Sequence, residues 1–340
     1  MKIKTKFDKL KKIYHISDIQ IRNLKRHKEY EQVFENLYKF ISQDTEDAVI
    51  YIGGDIAHSK TDMSPELVDQ LSRLFKRLSE LCPTLLIAGN HDCNLNNRSR
   101  LDVLQPIVDN IKNENLHYLN ETGVYYVGDV GFAVLEVRDN EINLPDPKEI
   151  KSKTKALLFH GTVDKSQTDL GFNLPSAVKL KDFDGYDMVL LGDIHKMQTM
   201  QEYKAGKVTK PIVRYCGSLV QQNHGETVKG HGVSVWNVKD RTFTHKEIEN
   251  EYGYYTLDID GGLVPKVTDL PKKARLRIRV KNTTPTDLKK ALTIIRHRHN
   301  LKEVSIIRDD NYRVDAGNSS IIDFGDVTDV DVQNGLIEDF

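Results

Sequence analysis

Short apolar runs alternate with amphipathic stretches through residue 245 of the chain. Leucine and phenylalanine at three- and four-residue steps predict two helices, one through Val33–Ile41 and one beginning at Ser64-Pro65, where serine favours the N-cap and proline the first turn. The order β-α-β-α-β is typical of a layered α/β or α+β domain. The runs that predict buried strands are Ile13–Ile16, Ala48–Ile52, Thr84–Ala88, Phe132–Val137, Ala156–Phe159 and Met188–Leu191.

A second, smaller domain is predicted by the pattern of residues 249–315, which indicates the order β, β, α, β. Arg275 to Val280 alternates strictly, so a strand there places its three apolar side chains inward and its three arginines on the opposite face. Pro285 to Asn300 predicts a helix. The acidic residues 316–340 favour a linker or the start of a partner-docking segment, and their last residues resemble a helix interrupted by the chain end.

Composition indicates a folded intracellular protein. Of the 340 residues, 39% are apolar, which suffices for a substantial core. No apolar stretch approaches the ~18 residues of a membrane helix, and the lysine-rich start lacks the apolar run of a signal peptide. The 3 cysteines form neither an even disulfide framework nor a Cys-x-x-Cys pair, which suits a reducing compartment. We therefore expect a cytoplasmic or nucleoid-associated protein.

The net charge of −1 conceals an uneven distribution. Residues 1–30 hold ten Lys/Arg against three acids (10 − 3 = +7), and residues 271–302 hold eleven against one (11 − 1 = +10). Residues 309–340 hold nine acids against one arginine (1 − 9 = −8). Two basic patches and an acidic tail result, and basic patches favour binding to polyanions.

Metal-binding residue types follow five of the apolar runs. The carboxyl ends of strands are where layered α/β sheets build their sites, so we expect these residues to meet. Taken alone, an Asp or His after a strand is typical of a turn, but five such sites in order favour a metal centre. The segments are Ser17-Asp18-Ile19-Gln20, Gly53-Gly54-Asp55-Ile56-Ala57-His58, Gly89-Asn90-His91-Asp92, His160-Gly161 and Gly192-Asp193-Ile194-His195.

In order and type these segments resemble the motifs of the calcineurin-like metallophosphoesterases: D-x-H, G-D-x-x, G-N-H-[DE], a lone His and G-H-x-H. The resemblance covers residues 11–245 and implies a four-layer β-sandwich flanked by helices, with residues 1–248 as the nuclease domain and 249–315 as a smaller α+β capping domain. Gly54 to Ser59 is similar to the G-D-x-x-H-S form of the SbcD-type double-strand-break repair nucleases. So is Tyr215-Cys216-Gly217-Ser218 followed by Gly225-Glu226.

The resemblance implies two-metal hydrolysis, in which two divalent ions ~3.5–4 Å apart neutralise a phosphodiester and supply a nucleophile. It makes His91 the donor of a proton to the leaving oxygen, Asp92 the carboxylate that orients His91, and His58 a contact to the scissile phosphate. The implied ligands are Asp55 as the bridge, Asp18 and His195 on one metal, and Asn90, His160 and Asp193 on the other.

Two positions depart from the family pattern. Gln20 stands where the family has His, and Asp193 stands where the first His of G-H-x-H is expected. Gln20 leaves three interpretations open: a weaker first site, ligation through the amide oxygen, or a metal that binds only with substrate. Oxygen donors in place of nitrogen favour manganese, or else magnesium, over zinc. A degenerate, non-catalytic site is the alternative.

The resulting prediction is a manganese-dependent DNA exonuclease and endonuclease acting at or near DNA ends in repair and recombination. The family works as a homodimer with an SMC-like ATPase of the SbcC type, which is the partner implied here. The alternatives are a DNA-end-binding scaffold and a phosphodiesterase for small nucleotides, and a solvated face is the alternative for the basic cap. Predicted DNA-binding residues are Arg275, Arg277, Arg279, Lys272, Lys273, Arg296 and Arg298.

Overall fold

A computed structural model describes residues 1–139 and 142–308, so the acidic segment 316–340 lies outside the described residues. The helices are α1 His27–Ile41, α2 Pro65–Leu81, α3 Gln105–Ile111 and α4 Pro285–Arg298, with a 3-10 helix at Leu180–Phe183. The strands are β1 Lys2–Ile3, β2 Lys12–Ile16, β3 Ala48–Ile52, β4 Thr84–Leu86, β5 Leu116–Tyr118, β6 Gly123–Val127, β7 Val130–Leu135, β8 Thr154–His160, β9 Ser166–Gln167, β10 Asn173–Leu174, β11 Met188–Gly192, β12 Gln198–Gln201, β13 Ile212–Tyr215, β14 Gly232–Asn237, β15 Thr242–Glu247, β16 Tyr252–Asp260, β17 Lys273–Lys281 and β18 Leu301–Arg308.

The chain divides into two compact units, a main unit of residues 1–220 and 229–249 and a small unit of residues 221–228 and the described residues from 250. Within the described ranges, no helix combines the length and the apolar character needed to cross a membrane.

The predicted β-α-β-α-β order is confirmed in the main unit, where β2, β3 and β4 lie side by side and parallel. The connecting helix α2 begins as its sequence predicts, since the Ser64 hydroxyl accepts a hydrogen bond from the Leu67 N–H at 3.3 Å and Pro65 occupies the first turn. Leu67, Leu71, Leu74, Phe75 and Leu78 are buried at helical spacing against the sheet. The periodic pattern therefore fixed both the helix and its buried face.

Two sheets pack face to face in the main unit. One has six strands in the order β15-β14-β2-β3-β4-β5 and the other seven in the order β1-β6-β7-β8-β11-β13-β12. Ile13 and Tyr51 of the first sheet pack in one core with Phe132 and Leu158 of the second. Helices α1 and α2 cover the outer face of the six-stranded sheet, and residues around Phe183 cover that of the seven-stranded sheet. The result is the predicted four-layer α/β sandwich.

The layering brings the candidate site together, because β2, β3 and β4 of one sheet and β8 and β11 of the other each end at a predicted motif. The loops turn sharply there. Asp18, Asp55 and Asp193 have φ angles of 52°, 50° and 98°, in the left-handed region that residues other than glycine seldom adopt. Such conformations concentrate at functional sites, where the surrounding structure holds them in place.

The small unit is a parallel sheet in the order β16-β17-β18. Helix α4 covers one face, where Leu288 and Ile295 pack against Leu276 and Ile278. Its start is capped by Thr284, whose hydroxyl accepts the Asp287 N–H at 3.2 Å. The alternation in β17 places its arginines on the face opposite the helix.

Candidate metal centre

Asp55 lies at the centre of the main unit's polar site, buried in the loop that follows β3. Its Oδ1 accepts the backbone N–H of His91 at 2.9 Å and lies 3.4 Å from His160 Nε2. Its Oδ2 lies 3.4 Å from Gln20 Nε2. The two carboxylate oxygens therefore face two different groups of side chains, which is the arrangement that a carboxylate bridging two cations requires.

The first group contains Asp18, Gln20 and His195. The buried Asp18 places Oδ1 4.0 Å from His195 Nε2, and that nitrogen lies 3.1 Å from Gln20 Nε2. The Asp193 N–H donates to both Asp18 oxygens at 3.2 Å, which holds the carboxylate in place. One face of Asp55 is thus supplied with a carboxylate, an amide and an imidazole.

The second group contains Asn90, His160 and Asp193. His160 Nε2 lies 3.1 Å from Asn90 Oδ1 and 3.9 Å from Asp193 Oδ1. His160 Nδ1 lies 2.7 Å from the carbonyl oxygen of Gly53, so Nδ1–H donates there and Nε2 is directed at the site. A second hydrogen bond of this kind fixes the tautomer of metal-binding histidines.

The electrostatics of the site favour a cation. Donor atoms of Asp18, Asp55 and His160 all lie within 4.8 Å of one another. Burial raises the pKa of Asp18 to about 6, despite the nearby imidazoles. Burial also opposes charge on the other two groups, yet the Asp55 carboxylate raises the pKa of His160 to about 10, and His160 lowers that of Asp55 to about 2. The carboxylates thus favour positive charge in this pocket. The oxygen-rich donor set fits hard divalent ions.

His91 and His58 lie beside the ligands, with their rings stacked 5.6 Å apart. His91 Nδ1 lies 2.7 Å from the backbone carbonyl of His58 and donates to it, while Nε2 lies 3.9 Å from Asp55 Oδ2. The His91 side chain is 37% exposed, so a substrate can reach it. Burial, and then the charge of Arg22, lower the pKa of His58 to about 4, which keeps that ring neutral.

The role predicted for Asp92 is wrong. Its carboxylate does not partner the His91 imidazole; Oδ1 accepts the N–H groups of Ile56 at 3.0 Å and Ala57 at 2.8 Å, and Oδ2 accepts that of Gly89 at 2.9 Å. Burial and the charge of Asp55 raise its pKa to about 7. Asp92 ties together the loops after β3 and β4, and a backbone carbonyl orients His91 instead.

Gln20 faces the site and links the metal ligands to His58. Its Oε1 lies 3.2 Å from His58 Nδ1, and its backbone carbonyl accepts the Tyr30 hydroxyl at 2.7 Å. A 180° turn of the amide directs Oε1 at Asp55 and His195, where it can ligate, and Nε2 at His58. Ligation by Gln20 remains a prediction.

We expect Gln20→His to raise metal affinity at the first group by roughly tenfold. This is the lower end of the range of affinity changes that follow from substitutions next to metal ligands. Imidazole nitrogen is a stronger donor than a neutral amide oxygen. Calorimetric titration with manganese measures the effect, and Gln20→Asn, whose amide is too short to reach the site, is the matched control. Equal affinity in Gln20→His and the parent chain would show that residue 20 is no ligand.

Thr162 belongs to the site but escaped the sequence prediction. Its hydroxyl donates to Asp193 Oδ2 at 2.7 Å and so orients a predicted ligand. The available signal was its position two residues after His160. Threonine is common in such loops, so the signal is weak without the tertiary contact.

The predicted DNA-binding residues lie in the small unit, where cross-strand pairing engages most of them. Arg275 is buried, with Nε 3.2 Å from Glu303, and Arg279 forms a two-pronged pair with Asp258 at 2.6 and 2.8 Å. Lys272 and Lys273 lie 3.3 and 2.7 Å from Glu251. Arg277, between Thr256 and Ser305 in the register, has no ion pair among the residues described.

The prediction that Arg296 and Arg298 lie near these arginines is wrong. Both belong to the last turn of α4, which packs on the opposite, apolar face of the sheet. They are exposed on that helix. The seven basic residues therefore do not form one surface.

Comparison with known proteins identifies the family. The model of the calcineurin-like phosphoesterases matches residues 11–197, more than half of the chain. The chain belongs to this family. The family uses divalent metals, and this chain contains a candidate metal site. The predicted resemblance to the superfamily is confirmed.

Two similar proteins extend the comparison. The chain is 39% identical over 324 residues to the uncharacterized protein R555 of Acanthamoeba polyphaga mimivirus, an alignment that covers 92% of this chain and 23% of that protein. The chain thus spans less than a quarter of the relative's length. The crystal structure of the nuclease MPE of Pseudomonas putida matches with a TM-score of 0.30 at 12% identity, covering 67% of this chain and 85% of that one.

Proposed function

We propose that the protein is a metal-dependent DNA nuclease that hydrolyses phosphodiester bonds at or near DNA ends. The observation that carries the proposal is Asp55, whose two oxygens face separate donor groups while His91 Nε2 lies 3.9 Å away. That geometry suits an anionic diester held between two cations with a proton donor beside it. It also argues against a degenerate site, because each donor group keeps three polar side chains.

The first group would hold one cation and the second group would hold the other. Asp55 would contact both cations. When bound, two divalent cations neutralise the diester and lower the pKa of water enough to supply a nucleophile at neutral pH. His91, with Nδ1–H held by the His58 carbonyl, is placed to give a proton from Nε2 to the leaving oxygen. With the Gln20 amide turned so that its Nε2 donates to His58 Nδ1, the neutral His58 ring carries its proton on Nε2 and can donate it to a phosphate oxygen.

DNA as the substrate is supported by charge. Arg22 follows Ile21, whose carbonyl accepts the His58 N–H at 3.0 Å, so the basic segment 22–28 begins beside the site. That segment contains Arg22, Lys25 and Lys28, together with Arg26, whose buried guanidinium is paired with Glu29. The resemblance of Gly54 to Ser59 to SbcD-type nucleases points to the same substrate.

The test is an assay of linear and circular DNA with manganese, with magnesium and with EDTA. We expect cleavage of linear DNA with manganese and none with EDTA. Hydrolysis of a small chromogenic diester without DNA cleavage would favour a nucleotide phosphodiesterase. Binding of DNA ends without hydrolysis of either substrate would favour a scaffold.

Arg277 is the residue of the small unit's polar face that we expect to contact a phosphate. Arg277→Gln should lower the slope of log affinity for duplex DNA against log salt by about 0.9, the value of one phosphate contact. The matched control is Arg298→Gln, an exposed arginine on the other side of the sheet, which should leave the slope unchanged. Filter binding across a salt series measures both. Identical slopes in the two variants would show that this face does not contact DNA.

We further propose a homodimer that binds an SMC-like ATPase of the SbcC type, as the family resemblance implies. An apolar groove between α2 and α3 offers a surface for self-association, lined by Met63, Val68, Val103, Ile107 and Ile111. Val68→Glu should then convert a dimer to a monomer in sedimentation while hydrolysis of the chromogenic diester continues. A monomeric parent chain would contradict this assembly.

A further inference from the structure

A hairpin formed by β9 and β10 presents two apolar side chains to solvent. Leu170 and Phe172 at its tip are 69% and 66% exposed. The turn is well defined, because Thr168 N–H donates to the Phe172 carbonyl at 3.0 Å and Gly171 N–H to the Thr168 carbonyl at 2.9 Å. Gly171, with φ +83°, supplies the left-handed conformation that the turn needs. The exposed pair is therefore displayed by an ordered turn.

The hairpin is connected to two of the loops that carry the donor residues, the loop after β8 through the chain and the segment after β11 through hydrogen bonds. The chain leaves His160 and reaches the hairpin within a few residues, and Thr162 on the way donates to Asp193. On the other side, Gln167 N–H donates to Gln198 Oε1 at 3.0 Å, and Gln198 Nε2 donates to the Gln167 carbonyl at 2.8 Å. Gln198 is three residues after His195. The base of the hairpin therefore lies beside the loops that carry His160 and His195.

Cationic side chains lie at the base of the same hairpin. Lys165 is exposed immediately before β9, and Lys196 Nζ lies 3.4 Å from Gln167 Oε1. The acids Asp164 and Asp169 share the segment. An aromatic ring on a segment that also carries lysines is a combination that binds nucleic-acid strands, since the ring stacks on a base while ammonium groups contact phosphates. A small nucleotide held at the metals would not need exposed apolar side chains on a turn away from the donor residues.

We propose that Phe172, with Leu170, binds a nucleobase of the strand whose phosphodiester lies at the metal centre. This rests on the proposed nuclease function and narrows its substrate to strands with an unstacked base next to the cleavage position. The apolar pair covers one face of that base. Inside a duplex both faces of a base are already stacked on its neighbours, so no face is free. Frayed ends and single-stranded tails are thus the substrates that the hairpin selects.

The test combines Phe172→Ala with an abasic scan of a single-stranded oligonucleotide in the parent chain. Binding is measured by fluorescence anisotropy with manganese replaced by calcium to suppress cleavage. We expect one abasic position to weaken binding by the parent at least about fivefold, the lower bound for stacking on one base. Phe172→Ala should bind the intact oligonucleotide equally weakly and lose no further affinity at that abasic position.

The matched control is Val208→Ala, because Val208 is 57% exposed in the loop joining β12 to β13 and lies at their other end from His195. It should bind like the parent, and both variants should hydrolyse the chromogenic diester normally, which shows that they fold. An abasic effect that persists in Phe172→Ala, or unaltered binding by that variant, overturns the inference and leaves the nuclease function standing. A parent chain that neither binds nor cuts DNA refutes the proposed function itself. If the tip docks a protein instead, DNA binding will not depend on Phe172.

Discussion

We expect Asp55→Asn to abolish hydrolysis of all phosphodiesters and to remove both cations together. Asparagine keeps the shape of the side chain but offers one neutral oxygen, so it cannot serve the two donor groups that the Oδ1 and Oδ2 atoms of Asp55 face. The rate should fall by more than about a thousandfold, which corresponds to ~4 kcal/mol in the activation free energy.

Thermal unfolding separates this effect from a folding defect. A cation at a hundred times its dissociation constant stabilises the folded state by about 2.7 kcal/mol. In a domain of this size that raises the Tm by several degrees. We expect manganese to give this shift in the parent and in Asp69→Asn, an exposed control on α2, and not in Asp55→Asn. A normal shift in Asp55→Asn would contradict the bridging role.

Replacing His91 with alanine should lower DNA cleavage by roughly 10²–10⁴-fold, the usual effect of losing a general acid. His91 belongs to neither donor group, so the manganese-induced rise in Tm should persist. The loss should be much smaller on a nitrophenyl diester, whose leaving group departs without a proton. Steady-state rates on the two substrates measure the difference.

His297→Ala, an exposed histidine on α4, is the control for this experiment and should cleave DNA like the parent. Equal losses by His91→Ala on DNA and on the nitrophenyl diester would show that His91 positions the substrate and does not protonate the leaving oxygen.

The principal helices and strands of the main unit were predictable because their sequence signals are local. Helix α2 is specified by Ser64-Pro65 and a leucine spacing, and β3 by a run of five apolar residues. Parallel strands joined by helices end at one edge, so the motifs after β2, β3 and β4 had to meet. Asp18, Asp55 and Asn90 could therefore be placed in one site from their order alone.

Contacts between distant segments were not predictable in this way. Asp92 follows His91 directly and was predicted to be its partner. Three backbone N–H groups from two loops donate hydrogen bonds to its carboxylate instead. The hydrogen-bond partner that orients a side chain depends on backbone angles that the loops adopt only when the sheets pack. The carbonyl of His58, which holds His91, carries no sequence signal at all.

The basic cap shows the same division between local pattern and tertiary structure. Alternation in β17 determined that its three arginines share a face, because the side-chain period of a strand is two. The sequence could not reveal that Arg275 and Arg279 are paired, since Glu303 and Asp258 become their neighbours only through the register of β16 and β18. Periodicity thus decides which way a side chain points, whereas strand register and loop packing decide what it meets. Only the tertiary structure left Arg277 without an ion pair in the described chain and joined the hairpin that carries Phe172 to the segment after His195.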